Sequence, residues 1–548
     1  MTRISRTMMT ILAGVSLPML AGCGANEIAS PGQGAVTINI GNGTPTPSPT
    51  PTPAGTLVTP ASGCPTISNP VALTDSGTIS GPTGEYRVCT LPAIFSRNTT
   101  LPKIAGVLYR LNGRVDVGCD GGFSAPTSGA PFASPTVGCT AANGFTLNGS
   151  NQLTADSNVT LTIEPGVILY GGTGASWLAV NRGNKISAVG SATAPIIFTS
   201  RDNVLGQETA TTIGHWGGVV LLGRGRVTDC RYGSVGTDTC ERETEGATES
   251  AVFGGRDNTY NAGRMSFVQI RYSGFILSAT FELQSLTGEG IGTGTVLDHI
   301  QSHNSSDDGS EFFGGALQMK YYVSTGADDD SLDLDTGVQA AVQYALMVQR
   351  DGQGDALMEF DSNGNESDTP RSTMKIANFT GIQPSASANN NGSSGDQASV
   401  LLRGNSDTTW VNGIIATPNN ECLRMNASGT TPATLVAKSV AMQCNSTKYL
   451  GSGNYTAAQV ATAFGAGANN NSDTYAATLT GFFINGTAET AIAATDPKTV
   501  DAFFDTTNYI GAVKDANETW QKGWTCNSTY VTFDDAANSK RSCTSLPS

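Results

Sequence analysis

The sequence predicts a mainly β protein whose short strands coil into a solenoid. Glycine accounts for 66 of the 548 residues and charged residues for only 14%, a composition that suits many short strands joined by turns. Apolar residues alternate along these strands and recur: the pair Leu161 and Ile163 is repeated 17 residues later by Leu178 and Val180. Strands that recur at such intervals are typical of a solenoidal sheet.

Residues 1–22 have the form of a secretion signal. A basic start precedes the apolar segment Thr7–Leu20, which is too short to span a bilayer. Residues 20–23 resemble the lipobox of bacterial lipoproteins, which implies cleavage before Cys23 and acylation of its thiol, as by palmitate, and of its new amino group. Because Gly24 follows, the resemblance implies an anchor in the outer membrane. Whether the protein faces the cell surface or the periplasm stays open.

A Pro/Thr-rich tether is predicted over residues 23–59. Proline alternates with threonine or serine from Pro45 to Pro53. This alternation favours an extended polyproline conformation, which acts as a semi-rigid spacer. A disordered tether without a selected length is the alternative interpretation.

The cysteine count agrees with export. The chain has 11 cysteines, and lipidation of Cys23 accounts for the odd one. The other ten form five neighbouring pairs: Cys64/Cys89, Cys119/Cys139, Cys230/Cys240, Cys422/Cys444 and Cys526/Cys543. Because an exported chain reaches an oxidising compartment, we expect five local disulfides, although connectivity does not follow from sequence alone. Zinc at His299 and His303 is disfavoured, since these residues lie in a strand-and-turn stretch and no CxxC occurs.

Three folded parts are predicted after the tether. They are an N-terminal cap over residues 60–150, the solenoid over 151–450 and a C-terminal cap over 451–548, with a helix at Thr456–Phe464. Caps are needed because the open ends of a solenoid expose unpaired strand edges. The cysteine pairs at both ends predict that each cap is stapled by disulfides.

The repeat lengthens in the middle of the chain. Taking Ile300, Val323 and Val348 as equivalent gives steps of 23 and 25 residues, and each unit has the order strand, turn, acidic residues, strand. In a parallel β-helix each such unit is one rung, stacked about 4.8 Å above the last. The sequence therefore predicts a parallel β-helix.

Four segments carry a family resemblance. Residues 163–167, 185–190, 195–200 and 216–219 resemble bacterial surface lipoproteins of the pectate-lyase-like, right-handed β-helix type. The resemblance implies a right-handed parallel β-helix for the solenoid. It does not imply a reaction, because this fold hosts lyases, hydrolases, adhesins and inert spacers.

Carboxylates are concentrated on three successive rungs between Asp307 and Asp361. If the rungs stack, carboxylates in equivalent turns lie about 5 Å apart and repel one another unless a cation or a proton separates them. Calcium fits such a site because it accepts about six to eight oxygen ligands in flexible geometry. The calcium ligands we predict are Asp307, Asp308, Asp329, Asp330, Asp333 and Asp355. The alternative is that these side chains satisfy turn backbones without a metal.

Catalysis is a further interpretation of the same rungs. Asp307 and Asp308 resemble the paired aspartates of polygalacturonase-type enzymes, which implies one general acid and one general base. The Gly-His-Gly and Arg-Ile-Lys motifs of those enzymes do not occur in the sequence. A calcium-dependent lyase would instead need an Arg or Lys base facing the acidic rungs. The candidates are Arg271, Lys320 and Arg350.

The net charge narrows the classes of ligand that the protein can bind. A net charge of −15 disfavours nucleic acid as a partner, because binding it needs a basic face. We predict an outer-membrane-anchored, non-catalytic binding or adhesion lipoprotein whose ligand is a polysaccharide or an outer-membrane protein. A polysaccharide lyase or glycoside hydrolase that uses the acidic rungs, with Asp307 and Asp308 as its catalytic residues, is the second interpretation. A structural component of the envelope is the third.

Overall fold

The computed structural model describes residues 57–172, 174–245, 251–278, 281–362, 366–386, 398–427, 431–533 and 541–547. The predicted signal peptide, the lipidation site Cys23 and most of the tether lie outside the described residues. Among the helices of these described residues, none combines the length and the hydropathy that a membrane span requires.

Strands dominate the described chain. In chain order they are β1 (Thr74–Gly81), β2 (Gly84–Thr90), β3 (Ile94–Phe95), β4 (Thr99–Leu101), β5 (Val107–Leu111), β6 (Arg114–Val117), β7 (Thr160–Ile163), β8 (Ile168–Gly171), β9 (Trp177–Val180), β10 (Lys185–Val189), β11 (Ile196–Ser200), β12 (Gly218–Leu222), β13 (Arg242–Glu243), β14 (Val252–Phe253), β15 (Gly263–Arg271), β16 (Ile276–Ser278), β17 (Phe281–Glu282), β18 (Leu286–Glu289), β19 (Val296–His303), β20 (Ser310–Phe313), β21 (Ala316–Thr325), β22 (Asp333–Asp335), β23 (Gln339–Val348), β24 (Met358–Phe360), β25 (Ser372–Ile382), β26 (Val400–Leu402), β27 (Ser406–Ala416), β28 (Leu423–Ala427), β29 (Thr434–Gln443) and β30 (Tyr449–Gly453). The α-helices are α1 (Arg201–Leu205), α2 (Ala457–Phe464) and α3 (Thr487–Thr490), and short 3-10 turns lie at Ala141–Asn143, Val235–Thr237 and Pro497–Thr499.

Two long sheets contain most of these strands. The first sheet has the order β1-β2-β5-β8-β11-β15-β19-β21-β23-β25-β27-β29, with β4, β7 and β10 beside its early strands. The second sheet has the order β3-β6-β9-β12-β18-β20-β22-β24-β26-β28-β30. Apart from the antiparallel pair β1–β2, neighbouring strands in both sheets are parallel. The prediction of a mainly β parallel β-helix is therefore confirmed.

The core lies between the two sheets and is built from stacked apolar side chains. In the second sheet Phe312 is in register with Leu334, and Leu334 with Phe360, and all three are buried in one cluster. In the first sheet Ile300 pairs with Tyr322, and Tyr322 with Ala345. Apolar burial on every rung supplies the main stabilisation of such a solenoid.

The prediction that Ile300, Val323 and Val348 occupy equivalent positions is wrong, because the strands pair in a shifted register. Val323 pairs instead with Gln301 and with Leu346. A shift of one residue moves a side chain to the opposite face of a sheet. Val323 accordingly packs in a separate cluster with Trp524, on the outer face. Apolar side chains on both faces made the register ambiguous in sequence.

The parallel sheets begin earlier in the chain than the expected boundary at residue 151. Strands β2 and β5 already pair in parallel, and β5 pairs with β8 of the next rung. The part of 60–150 that is poor in strands is the loop after Val117, which carries the Cys119–Cys139 disulfide. Strands of only three to five residues leave a weak periodic signal in this region.

Five disulfides join neighbouring cysteines. The bonds are Cys64–Cys89, Cys119–Cys139, Cys230–Cys240, Cys422–Cys444 and Cys526–Cys543. These are the five pairs expected from the sequence. The first and the last of them staple the two ends of the described chain, as predicted for the caps.

A stack of left-handed residues runs up the first sheet. Phe267, His299, Tyr321 and Tyr344 have φ between 53° and 63°, and their rings stack with centroid distances of 4.1, 4.4 and 4.8 Å. The stack continues at Asn378, Asn412 and Ser439, whose φ values are 51°, 55° and 56°. Bulky residues rarely adopt positive φ, and one such residue bends a strand. Stacking on the rung below offsets this strain at each level.

The C-terminal segment does more than cap the last rung. Helix α2, capped by Thr456 and Gln459 at its start and by Gly465 at its end, packs against β29 and β30 and covers the open end. The chain then returns along the outer face of the first sheet. The amide of Gln301 exchanges two hydrogen bonds with the backbone of Cys526, at 3.1 and 2.7 Å. Most of the predicted C-terminal cap is therefore a strap along the solenoid.

This strap gives a stability prediction. Replacing Gln301 with Ala leaves a buried N–H and a buried carbonyl of Cys526 without partners, and we expect unfolding to become easier by about 2 kcal/mol. Denaturant unfolding followed by circular dichroism measures the change. Gln318→Ala on neighbouring β21, where the side chain is half-exposed, is the control and should change stability by less than about 0.5 kcal/mol. Equal effects of the two variants would contradict the strap's role.

Candidate functional site

Acidic side chains from three rungs meet on the outside of the second sheet. Glu311 on β20 is in register with Asp333 on β22, and Asp333 with Glu359 on β24. Parallel strands lie about 4.8 Å apart, so the three carboxylates form a short vertical row. Their neighbours Phe312, Leu334 and Phe360 point the opposite way, into the core. The alternation of a β-strand thus separates an apolar stack from an acidic one.

The row forms one wall of a surface cavity of about 270 Å³, which we call the acidic pit. The turns that precede β20, β22 and β24 supply the other carboxylates, and one further acid comes from a distant loop. The lining residues are Glu245, Gln284, Asp307, Asp308, Glu311, Asp329, Asp330, Asp333, Asp355, Glu359 and Arg403. Nine of these are carboxylic acids, and Arg403 is the single cation among the described lining residues.

Two triads within the pit have the spacing of metal ligands. In each triad, every residue contributes one carboxylate oxygen, and the three oxygens lie within 4.8 Å of one another. The first triad is Asp307, Asp308 and Asp329. The second is Asp308, Glu311 and Asp333. Asp308 belongs to both triads. Its carboxylate accepts a 2.9 Å hydrogen bond from the backbone N–H of Asp330, so the next rung holds it in position.

Burial and mutual repulsion raise the pKa values of these acids. Burial, and then the charges of Asp307 and Asp333, raise the pKa of Asp308 well above its ordinary value. The pKa of Asp330 is raised in the same way, by burial first and then by neighbouring carboxylates. Burial raises the pKa of Glu359 to about 7, although the Arg403 guanidinium opposes this shift. In the absence of a cation, the pit therefore holds protons to a higher pH than exposed carboxylic acids do.

Two side chains relieve part of the repulsion. Arg403 donates to Glu359 at 2.8 Å and lies 2.9 Å from Asp361. Gln284 donates to Glu311 at 2.5 Å and to Asp307 at 3.4 Å. One guanidinium and one amide cannot neutralise nine carboxyl groups, so the pit favours a bound cation or bound protons.

The six predicted calcium ligands all line the pit. The structure thus brings together five turn residues and the strand residue Asp333; the turn residues are Asp307, Asp308, Asp329, Asp330 and Asp355. Glu311 and Glu359 were part of the acidic pattern but not of the predicted ligand set. Gln284, Glu245 and Arg403 had no sequence signal, because each reaches the pit from a different loop or strand connection. Of the other acids in the pattern, Asp328 forms a 2.6 Å ion pair with Arg350 outside the pit.

The predicted catalytic bases do not reach the pit. Lys320 forms a 2.7 Å ion pair with Asp505 of the C-terminal strap. Arg350 is held by Asp328, and Arg271 is buried beneath the end of the chain. None of the three lines the cavity. A lyase that draws its base from this set is therefore not assembled.

His299 and His303, the two histidines considered for zinc, both make packing contacts. His299 belongs to the stacked ring ladder, between Phe267 and Tyr321. His303 is buried and lies within ligand distance of Cys526 and Cys543, but those cysteines form a disulfide. Neither histidine lines the acidic pit.

The fold and the pit together define a parallel β-helix protein with a carboxylate-lined cavity on one sheet. The family model described as pectate-lyase like beta helix domain matches residues 133–525. The chain belongs to this family. No curated protein and no solved structure matches the chain.

The raised pKa values predict how stability depends on pH without added metal. The pKa of Glu359 rises from 4.5 to about 7 on folding, so protons favour the folded state and stability falls as pH rises between these values. We expect the melting temperature in chelator to drop by several degrees between pH 5.5 and pH 8. Glu359→Gln should flatten this dependence. A melting temperature that rises over this interval would contradict the predicted protonation.

Proposed function

We propose that this protein is a membrane-anchored, non-catalytic binding protein whose acidic pit holds calcium and, through it, an anionic glycan. The supporting observation is the set of nine carboxylic acids around one cavity with Arg403 as the single described cation. Like charges at this spacing do not all ionise unless a cation joins them. A cation would convert a repulsive cluster into a binding site.

Calcium suits the ligand set better than other common metals. The lining acids offer only oxygen donors, and calcium accepts about six to eight of these at flexible geometry. Magnesium demands near-octahedral geometry and keeps several waters. Zinc prefers nitrogen and sulfur ligands, and no His or Cys is among the described lining residues.

The glycan part of the proposal follows from charge. With a net charge of −15, the chain would repel an anionic ligand elsewhere on its surface. A calcium ion at the mouth of the pit keeps coordination positions open for a ligand carboxylate. Polysaccharides that carry uronate groups supply such carboxylates repeatedly, and a rigid solenoid presents one fixed surface to them. An outer-membrane protein with an acidic loop is the alternative ligand, because its carboxylates would coordinate calcium in the same way.

Binding without turnover is favoured because the described lining of the pit offers no free Lys or Arg that could act as the base of a lyase. Arg403 is the single described cation in the pit, and its guanidinium is already engaged by Glu359 and Asp361. Proton abstraction from a uronate needs a free base within hydrogen-bond reach. The acids themselves are occupied either by protons or, in this proposal, by calcium.

Calcium titration tests the metal site. Isothermal titration of the chelator-treated chain should show saturable calcium binding, and the melting temperature should rise with calcium concentration. Asp308→Asn, which removes the residue shared by both triads, should weaken binding by about tenfold or more. Asp351→Asn is the matched control: it lies in the turn that contains Asp355 but is exposed and outside the pit. Equal calcium affinity in the two variants would overturn the proposed site.

A glycan screen tests the ligand and the absence of turnover. Uronate-rich polysaccharide should be retained by the chain with calcium and released by chelator, while neutral polysaccharide should not be retained. A hydrolase or lyase that uses Asp307 and Asp308 is the second candidate, favoured by the raised pKa of Asp308 inside a cavity. New reducing ends or unsaturated uronates that Asp308→Asn abolishes would establish that candidate and overturn the non-catalytic one.

The proposed anchor has its own test. We expect the native chain to fractionate with outer membranes, because several acyl chains at Cys23 bind a bilayer firmly. Cys23→Ser should move most of the protein to the soluble fraction. Ser62→Ala, beyond the tether, serves as the control. Membrane association that survives Cys23→Ser would contradict a lipid anchor at this residue.

A further inference from the structure

A short hairpin, residues 230–241, leads the chain to the rim of the acidic pit. Its two arms meet where Tyr232 and Glu241 exchange backbone hydrogen bonds of 3.0 and 2.9 Å, and the Cys230–Cys240 disulfide closes it. The hairpin packs on the outer face of the second sheet through Cys240. The chain then continues through β13 to Glu245, which lines the pit.

Two contacts with the second sheet hold the segment between the hairpin and the pit. The guanidinium of Arg242 lies 5.5 Å from the centroid of the Phe313 ring on β20. Thr244 donates a 2.7 Å hydrogen bond to the buried carboxyl group of Glu289 on β18. Both side chains therefore face the sheet. Glu243 between them faces away from it, because side chains alternate along an extended segment.

Tyr232 presents an exposed aromatic ring at this place. The residue is 45% exposed, and among the exposed large apolar side chains of the described chain only Phe482 is also aromatic. The Tyr232 hydroxyl donates a hydrogen bond to Glu243. The ring therefore has a fixed position beside an outward-facing carboxylate, and a side chain that is already ordered loses little freedom when a ligand packs against it.

Glu243 connects this ring with the pit. Its Cα lies at most about 7 Å from that of Glu245, since the two residues are two steps apart in the chain. One oxygen of the Glu243 carboxylate accepts the Tyr232 hydroxyl, and the other lies 3.5 Å from Arg231. A carboxylate has about four acceptor positions, so Glu243 can accept further hydrogen bonds. Arg231 offsets part of its charge, which lowers the repulsion of an anionic ligand.

An exposed ring beside a carboxylate fits a sugar unit. The C–H face of a pyranose is apolar and packs flat against an aromatic ring, while the hydroxyl groups at its edge donate to carboxylates. A protein partner would need an interface of about 1,000 Å² or more. The chain neighbours of Tyr232, which are Arg231, Gly233 and Ser234, add no apolar side chain to such an interface.

We propose that Tyr232 and Glu243 form a sugar subsite next to the acidic pit, in which the Tyr232 ring packs against one pyranose unit and Glu243 accepts hydrogen bonds from its hydroxyl groups. The inference rests on the proposed function, because the pit holds another unit of the same glycan through calcium. The subsite recognises the sugar ring and not its charge. It makes the protein selective for a chain of sugars over a single uronate.

Titration with two galacturonate probes tests the subsite. The full chain carrying Cys23→Ser, which lacks a lipid of its own, is loaded with calcium and titrated with monomeric galacturonate and with its hexamer. Tyr232→Ala should weaken binding of the hexamer by about tenfold, because it removes the ring against which a sugar packs. Binding of the monomer and of calcium should stay within about twofold of the parent chain, since both use only the pit.

Two further variants separate the ring from its surroundings. Tyr232→Phe keeps the ring and should bind the hexamer within about threefold of the parent chain. Phe482→Ala is the matched control, because it removes the other exposed aromatic ring, which lies on the C-terminal strap and outside the pit. Hexamer binding should not change in this variant.

The outcomes distinguish the subsite from the pit. An equal loss of hexamer, monomer and calcium binding in Tyr232→Ala would show that Tyr232 only supports the pit. Unchanged hexamer binding in that variant would show that the glycan does not use the ring. Either result overturns the subsite and leaves the proposed function standing. If the parent chain binds neither probe in calcium, the proposed function fails, and the subsite fails with it.

Discussion

In-register hydrogen bonding between parallel rungs is the constraint on which the rest of this structure depends. Each rung repeats the strand positions of the one below, so a side chain stacks on its equivalent about 4.8 Å away. Inside, this stacking joins Phe312, Leu334 and Phe360 into a continuous core. Outside, the same register places Glu311, Asp333 and Glu359 in a row, where stacking is unfavourable unless protons or a cation intervene. The raised pKa values of the pit therefore follow from backbone register and burial together.

The outer face of the first sheet shows the second consequence of stacking. Residues with positive φ occur at the same level of successive rungs, because a bend in one strand must be matched by the next. The strap then covers this face, and the paired hydrogen bonds of Gln301 and Gln343 with the backbones of Cys526 and Asp505 fix its position. Where the strap covers it, the sheet is buried on both faces. Apolar and polar side chains consequently coexist on its outside, including the buried guanidinium of Arg271.

The two cavities differ in charge and in the elements that build them. The acidic pit lies on the second sheet, and its acids come mainly from turns between consecutive rungs. A second cavity of about 510 Å³, which Arg271 lines, lies on the first sheet between the early rungs and the C-terminal strap. A local repeat can build the first kind of site. The second kind needs residues that are hundreds of positions apart in the chain, as with Arg271 and Cys543.

The sequence by itself determined the β-helix and six of the nine acids that line the pit, because both are local patterns repeated from rung to rung. It also favoured disulfides between neighbouring cysteines, because the members of each pair are close in sequence. Only the tertiary structure decided the register of Ile300 with Tyr322, since apolar residues on both faces left two alignments equally plausible in sequence. It also decided which loops bring Gln284, Glu245 and Arg403 to the pit, and that the C-terminal segment returns to cover Arg271. Those contacts depend on long-range packing, which no short spacing in the chain records.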